Sequence, residues 1–136
     1  MNRNGRRSSA AYAFIEPLKG DPCLKVKLNA RVRRINIENG TATGVVYADA
    51  AGRETEVRAS REVIIASGSL VTPQLLMLSG IGPADDLQRL GIPVILNRPQ
   101  VGANLQDHLD LFVIAECTGP HTYDRYAKPH WSALAG

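Results

Sequence analysis

The chain has 136 residues, which is the size of one domain or of a part of one. Hydrophobic residues make up 44% of it, a proportion typical of globular proteins and too high for a disordered chain. The formal net charge is only +3, and no aromatic residues alternate with the basic ones in the one dense cluster, Arg3, Arg6 and Arg7. We therefore expect no nucleic-acid partner and interpret this cluster as a solvated surface.

The cysteines and the apolar residues exclude further classes of protein. Cys23 and Cys117 form no Cys-x-x-Cys pair, and no ligand cluster occurs elsewhere, so we predict no metal site. We interpret them as two buried or half-buried thiols in a reducing compartment. No signal-peptide segment and no membrane span are visible, since no run of about 18 apolar residues occurs. We predict a cytoplasmic protein, with peripheral membrane association as the alternative.

Residues 1–7 predict a loop, and a short helix is expected to follow it. Ser8 or Ser9 can cap this helix, and Pro17 and Gly20 limit its length. Its helix-forming residues and its buried side are Ala10, Ala11, Ala13, Phe14 and Leu18.

A set of short strands is predicted next. Apolar residues alternate with lysines from Leu24 to Leu28, which is typical of a half-buried strand. The apolar phase changes between Asn29 and Arg34, and a strand of period two can do this only through a bulge, a bend or a break. Asn39-Gly40 favours a type I′ hairpin turn. Residues 32–59 are therefore predicted to form a three-stranded antiparallel meander with one solvent face.

The stretch from Val63 to Gly82 organises the rest of the chain. Val63 to Ala66 is a short apolar run, as found in strands that are buried on both faces. The small residues Ser67-Gly68-Ser69 predict a tight turn, Thr72 can cap a leucine-rich helix, and Pro73 suits the first helical position. Free N–H groups at such a turn favour a phosphate. From spacing alone, a nucleotide site and a tight connection with no ligand both stay open.

The remaining predicted elements are shorter. Gly80 fits just past the end of the leucine-rich helix. Residues 84–90 have helical apolar spacing, and residues 94–96 and 111–116 predict two strands. Between these strands, residues 104–108 form a run of polar, hydrogen-bonding groups.

Two long blocks of the sequence resemble signatures of the glucose–methanol–choline (GMC) oxidoreductases. The run from Gly68 to Pro83 is similar to the second signature of the family, and Val101 to His108 is similar to another block at the expected distance. Gly5 to Ala10 and Leu24 to Ile35 also resemble the family. Within the family, the chain resembles the bacterial choline-dehydrogenase-like alcohol dehydrogenases.

The resemblance implies an FAD enzyme that oxidises the CH–OH group of an alcohol by hydride transfer to the flavin. It implies an α/β fold of mixed α+β type, part of a three-layer FAD/NAD(P)-binding domain with an antiparallel meander. Residues 1–108 are expected to be a partial FAD-binding domain, and residues 109–136 the incomplete start of an antiparallel substrate domain. The implied partners are a small-molecule alcohol, an electron acceptor of undetermined kind, and the missing parts of the parent chain.

The resemblance also assigns residues to the cofactor. Backbone groups at Val32, beside Arg31, are expected to meet the adenine, because a bend leaves N–H and C=O groups that a regular ladder would use. The small-residue turn is expected beside the ribose and the pyrophosphate, and the loop that includes Asn104 and His108 near the flavin. The predicted cofactor-binding residues are Arg31, Val32, Ala66, Ser67, Gly68, Pro73, Asn104, Asp107 and His108.

No catalytic residue is predicted in this chain. In the family, the Gly-x-Gly-x-x-Gly fingerprint precedes the part that resembles this sequence, and the catalytic histidine follows it near the carboxyl terminus. The unperturbed pKa of His108 would suit a general base, but its block resembles a cofactor-side loop. We expect an internal piece of a longer enzyme that is inactive alone. The alternatives are a truncated module that binds FAD weakly or only associates with protein, and a nucleotide-binding protein that uses nicotinamide.

Overall fold

The computed structural model describes residues 2–3, 5–116 and 118–119 of the chain. The chain divides into two compact units, Met1–Leu105 and Gln106–Gly136. Every helix and strand in the described residues lies in the first unit. None of the helices in this described part is long and apolar enough to cross a lipid bilayer.

The amino-terminal segment has regular structure, and its two helical turns bury no side chain. β1 (Asn2–Arg3) pairs antiparallel with β2 (Arg6–Arg7), and a π-helical turn, Ala11–Ile15, leads into a 3₁₀ turn, Glu16–Leu18. The Ser9 hydroxyl accepts a backbone N–H bond from the first turn at 3.3 Å, as its predicted capping role requires. The predicted buried side is wrong, because the large apolar side chains of these turns are 41% to 71% exposed.

A three-stranded antiparallel sheet is the largest element of the first unit. It consists of β3 (Arg31–Glu38), β4 (Thr41–Ala48) and β5 (Glu54–Arg58), in the spatial order β3–β4–β5. The predicted meander over residues 32–59 is therefore confirmed. Asn39 and Gly40 join β3 to β4 with φ angles of 50° and 76°, which are the two positive values that a type I′ turn needs.

β3 carries an extra residue where the sequence changes phase. Val32 pairs with Tyr47, and Arg34 pairs with Val46, so Arg33 has no partner of its own in the ladder. This bulge confirms the predicted irregularity, but two strands do not meet here, because residues 24–28 form no strand. No other described strand pairs with the outer side of β3, so β3 is an edge strand.

One face of the sheet is covered by charged side chains. Val46 lies at its centre and is only 3% exposed. Its cross-strand neighbours on this face are Arg34 and Glu56, and Arg34 also lies 3.8 Å from Glu54. The aliphatic parts of these long side chains cover Val46, while their charged ends reach water. This is the solvent face that the sequence predicts.

The sheet packs against α1 (Gly68–Leu78) through β3. The helix begins earlier than predicted: Ser67 is the N-cap residue, and Thr72 and Pro73 lie inside the helix. The proline is tolerated because its missing N–H leaves only the carbonyl of Ser69 unpaired, in a first turn that is exposed to water. The small-residue turn therefore becomes the first turn of the helix itself.

α1 ends where it was predicted to end. Gly80 follows with φ 82°, and its N–H donates to the Met77 carbonyl at 2.9 Å. β6 (Ile81–Gly82) then pairs in parallel with β7 (Leu96–Asn97), and α2 (Ala84–Arg89) connects them. The predicted helix over residues 84–90 is confirmed, whereas the strand predicted over residues 94–96 begins only at its last residue.

Three predicted strands are not formed in the described residues. Residues 24–28, 63–66 and 111–116 have no ladder partner there. Their apolar side chains are largely exposed, with Leu28 at 75% and Ile64 at 78%. Apolar periodicity reports which face a strand would bury, but a strand also needs a hydrogen-bonding neighbour. These predictions are therefore wrong for the chain as the structure describes it.

Two further predictions concern thiols and domains. Cys23 is exposed, so the prediction of buried thiols is wrong for this residue. Cys117 lies outside the described residues. The predicted division into residues 1–108 and 109–136 stays a prediction.

Asp49 organises the turn between β4 and β5. Its carboxylate accepts the backbone N–H groups of Ala51 at 2.9 Å and Arg53 at 3.0 Å. The guanidinium of Arg53 pairs with its second oxygen at 2.9 Å. These bonds, and that from the Arg53 backbone most of all, hold the pKa of Asp49 below its ordinary value of 3.8.

Replacing Asp49 with asparagine is expected to lower the melting temperature at neutral pH. Because the folded-state pKa is lowered, the carboxylate stabilises the fold above pH 3.8 and loses this effect as the pH falls through the lowered value. Thermal unfolding of both proteins from neutral to acidic pH measures the difference. The difference in melting temperature between the two proteins should be largest near neutral pH and should disappear at acidic pH. A gap that does not change with pH would contradict this role for the charge.

Candidate functional site

A cavity of about 520 Å³ lies between the first residues of β3 and one face of α1. Its strand wall contains the bulge, and its helix wall begins at the N-cap residue. The lining residues are Ala30, Arg31, Val32, Arg33, Ser67, Val71, Gln74, Leu75 and Leu78. Three residues that the sequence predicts for the cofactor, Arg31, Val32 and Ser67, therefore line one cavity although they lie in distant segments.

The charged residues that line this cavity are all positive. Arg31 and Arg33 are among its lining residues, and none of the described lining residues is acidic. Ser67, the N-cap of α1, makes no capping hydrogen bond with its side chain, so it leaves N–H groups of the first turn available. The helix dipole adds partial positive charge at the same end. The cavity is therefore suited to an anionic group such as a phosphate.

The two walls also differ in how they contact a ligand. On the strand wall, the bulge takes Arg33 out of the ladder, which leaves backbone groups for another partner. On the helix wall, Val71, Leu75 and Leu78 are apolar, and Gln74 contributes one exposed amide. A flat heteroaromatic ring with a polar edge fits this combination of surfaces.

A buried hydroxyl joins the two walls just beyond the last helical lining residue. Ser79 is only 5% exposed. Its oxygen accepts the N–H of Ile35 in β3 at 2.8 Å, and its own O–H donates to the Leu75 carbonyl at 2.6 Å. The strand and the helix are therefore linked at one end of the cavity.

The other residues predicted in the first unit lie outside the cavity lining. Ala66 and Gly68 flank Ser67, and both are exposed. Pro73 faces the loop near Gly102, since its Cβ lies 4.0 Å from the position that a Cβ on this glycine would take. Asn104 follows in that loop with a positive φ of 56°.

Asp107 and His108 belong to the second compact unit. Both side chains are exposed, and Asp107 Oδ1 accepts the backbone N–H of His108 at 2.8 Å. This local bond orients the carboxylate along the backbone. Their role beside a flavin stays a prediction.

The sequence reasoning missed Arg33 and Gln74 as residues of the cavity. The phase break gives the signal for Arg33, because the extra residue of a bulge leaves the ladder. The signal for Gln74 is its helical spacing, three residues after Val71 and four before Leu78, which places all three on one face.

The profile of the GMC oxidoreductase family matches residues 1–110 of the chain. The chain belongs to this family. Human choline dehydrogenase, named as mitochondrial, is 46% identical over 125 residues, which cover 92% of this chain and 21% of the human protein. The chain therefore spans about a fifth of the length of that relative. The predicted resemblance is confirmed.

Two solved structures of similar fold agree with this. Pyridoxine 4-oxidase from Mesorbium loti has a TM-score of 0.66 and 34% identity, over 73% of this chain and 19% of that one. An FAD-dependent oxidoreductase from Chaetomium thermophilum has a TM-score of 0.59 and 38% identity, over 62% of this chain and 15% of that one. They confirm the predicted mixed α/β fold of an FAD-binding domain, and FAD as the cofactor of the family.

Proposed function

We propose that this chain forms part of the FAD site of an enzyme that oxidises the CH–OH group of choline or another primary alcohol. The main support is the single cavity lined by Arg31, Val32 and Ser67. The 46% identity to human choline dehydrogenase supports an alcohol as the substrate. When bound, FAD supplies the redox chemistry, and the protein binds and orients the cofactor.

The groups that line the cavity match the chemical groups of the adenylate half of FAD. Arg31 and Arg33 offer charge to the pyrophosphate, and the first turn of α1 after Ser67 offers N–H groups. The strand edge at Val32 offers backbone groups to the adenine, and the apolar helix face packs against its ring. The role of this part of the chain is thus to hold one end of the dinucleotide.

The remaining predicted residues keep their proposed places beside the cofactor. Ala66 and Gly68 belong to the same small-residue turn as Ser67, and Pro73 belongs to the block that follows it. Residues 104–108 are proposed to serve the flavin side, supported by the resemblance of this block to the family. We assign no catalytic base, because the block that contains His108 resembles a cofactor-side loop of the family.

Competition for bound FAD tests the proposal directly. FAD added to the full 136-residue chain is expected to bind with one-to-one stoichiometry, measured by flavin fluorescence. ADP is expected to displace it, because the cavity receives the adenylate and pyrophosphate groups. FMN has no adenylate and is expected to compete at least about tenfold less well. If ADP did not displace FAD, the proposed place of the nucleotide would be wrong.

A second candidate function is that of an inactive module that binds FAD weakly or only associates with protein. Its support is exposed apolar surface: Ile64 is 78% exposed and Leu70 is 67% exposed. Surface of this kind is typical of contacts between proteins. Self-association on gel filtration together with weak FAD binding would favour the module. Alcohol turnover by the chain alone would contradict both the module and our view that the base lies elsewhere.

A further inference from the structure

We infer that Ser79 is a positioning residue for the nucleotide cavity, and that its hydroxyl holds the strand wall at a fixed distance from the helix wall. The inference rests on the proposed function, because it assumes that the cavity binds the adenylate half of FAD. Ser79 itself does not line the cavity. It would act through the residues that it connects.

The connection lies next to both walls. Leu78 is the last helical residue of the lining, and Ser79 follows it directly. Ile35 lies two residues after Arg33, the last strand residue of the lining, and donates its N–H to Ser79 Oγ at 2.8 Å. Among the described residues, this is the one hydrogen bond between β3 and the segment from Ser67 to Gly80.

The hydroxyl is also tied to the lining on the helix side. Ser79 O–H donates at 2.6 Å to the carbonyl of Leu75, which itself lines the cavity. One oxygen atom therefore accepts from the edge strand and donates to the helical turn that faces it. Since Ser79 is only 5% exposed, bulk water cannot readily replace either bond.

The consequence for binding follows from the shape of the ligand. A nucleotide that bridges the cavity must contact the arginines and backbone of β3 and the start of α1 at the same time. Without the Ser79 hydroxyl, the N–H of Ile35 loses its partner, and packing contacts without this hydrogen bond hold β3 against α1. The binding groups would all remain, but their spacing would no longer match the ligand.

Three variants test this inference. Ser79→Ala is expected to weaken ADP and FAD binding by about tenfold, because an unpaired buried group and lost alignment act together. Ser79→Thr keeps the hydroxyl and should stay within about threefold of the wild type. Leu87→Val is the control, since Leu87 is fully buried but lies in α2, away from the cavity lining, and it should change affinity by less than about twofold. Binding is measured at a temperature where circular dichroism shows each variant to be folded.

Four outcomes bear on the inference or on the proposed function. Equal losses of affinity in Ser79→Ala and Leu87→Val would overturn the inference, because any destabilisation would then have the same effect. If Ser79→Thr lost as much affinity as Ser79→Ala, the inference would also be overturned, since the missing hydroxyl would not explain the loss of affinity. If Ser79→Ala does not fold, Ser79→Cys, whose thiol is a weaker acceptor, should show an intermediate loss, and wild-type affinity there would overturn the inference. Failure of ADP to bind the wild type would instead refute the proposed function.

Discussion

Replacing both Arg31 and Arg33 with glutamine is expected to weaken FAD binding by about a hundredfold. These are the charged side chains of the described cavity lining. Each is exposed, so solvent screens its attraction to the pyrophosphate, and about tenfold for each charge is a reasonable size. Fluorescence titration at low and high salt measures the effect. The salt dependence of binding should fall along with the affinity.

A matched variant removes the same net charge elsewhere. Arg58 and Arg89 form exposed ion pairs with Glu38 and Asp86 and do not line the cavity. Replacing both with glutamine should change FAD affinity by less than about twofold. If both double variants lost affinity equally, net charge rather than the cavity would control binding. Proposed contacts from the arginines to the cofactor would then have no support.

Replacing Gly80 with alanine is expected to reduce the free energy of unfolding by about 3 kcal/mol. The φ angle of 82° disfavours any residue with a Cβ. In addition, the new Cβ would lie 2.6 Å from the Pro93 carbonyl oxygen and 2.9 Å from the Ile95 side chain. Because the closer contact is with backbone, the loop itself would have to move. Urea unfolding followed by circular dichroism measures the loss.

Gly91 offers a control with the same backbone conformation and no crowding. Its φ is 70°, and a Cβ there would have no other atom within 4 Å. Gly91→Ala should therefore reduce stability by about 1 kcal/mol, from backbone strain alone. The difference between the two variants isolates the contact with the loop of Pro93. If the two variants lost the same amount of stability, the contact with the Pro93 loop would be relieved without a cost in free energy.

Local features of this fold could be predicted because a few adjacent residues determine them. Asn39-Gly40 specifies its own turn, since both positions need a positive φ. Gly80 ends its helix for the same reason. The phase break before Arg34 requires the strand to be irregular there, and the structure meets this need with a bulge. Each of these signals is complete within a short piece of sequence.

Features that depend on a distant partner could not be predicted in this way. Residues 63–66 have the apolar pattern of a buried strand, but the described residues give them no neighbour. Likewise, the family resemblance proposes Arg31 and Ser67 as cofactor residues. Helical spacing groups Gln74 with Val71 and Leu78, but only the structure shows that this face of the helix lies against the strand. The start of α1 was misplaced because Pro73 is tolerated inside the helix, where the carbonyl that loses its partner lies in the exposed first turn.

The junction after α1 has a consequence for how substitutions combine. Ser79 joins the helix to β3, while the carbonyl of the adjacent Gly80 accepts the N–H groups of Ile95 at 2.8 Å and Leu96 at 3.1 Å. Two consecutive residues therefore connect the end of α1 to both the large sheet and the small parallel one. Because substitutions at Ser79 and at Gly80 alter this one shared junction, their effects on stability are expected to be non-additive.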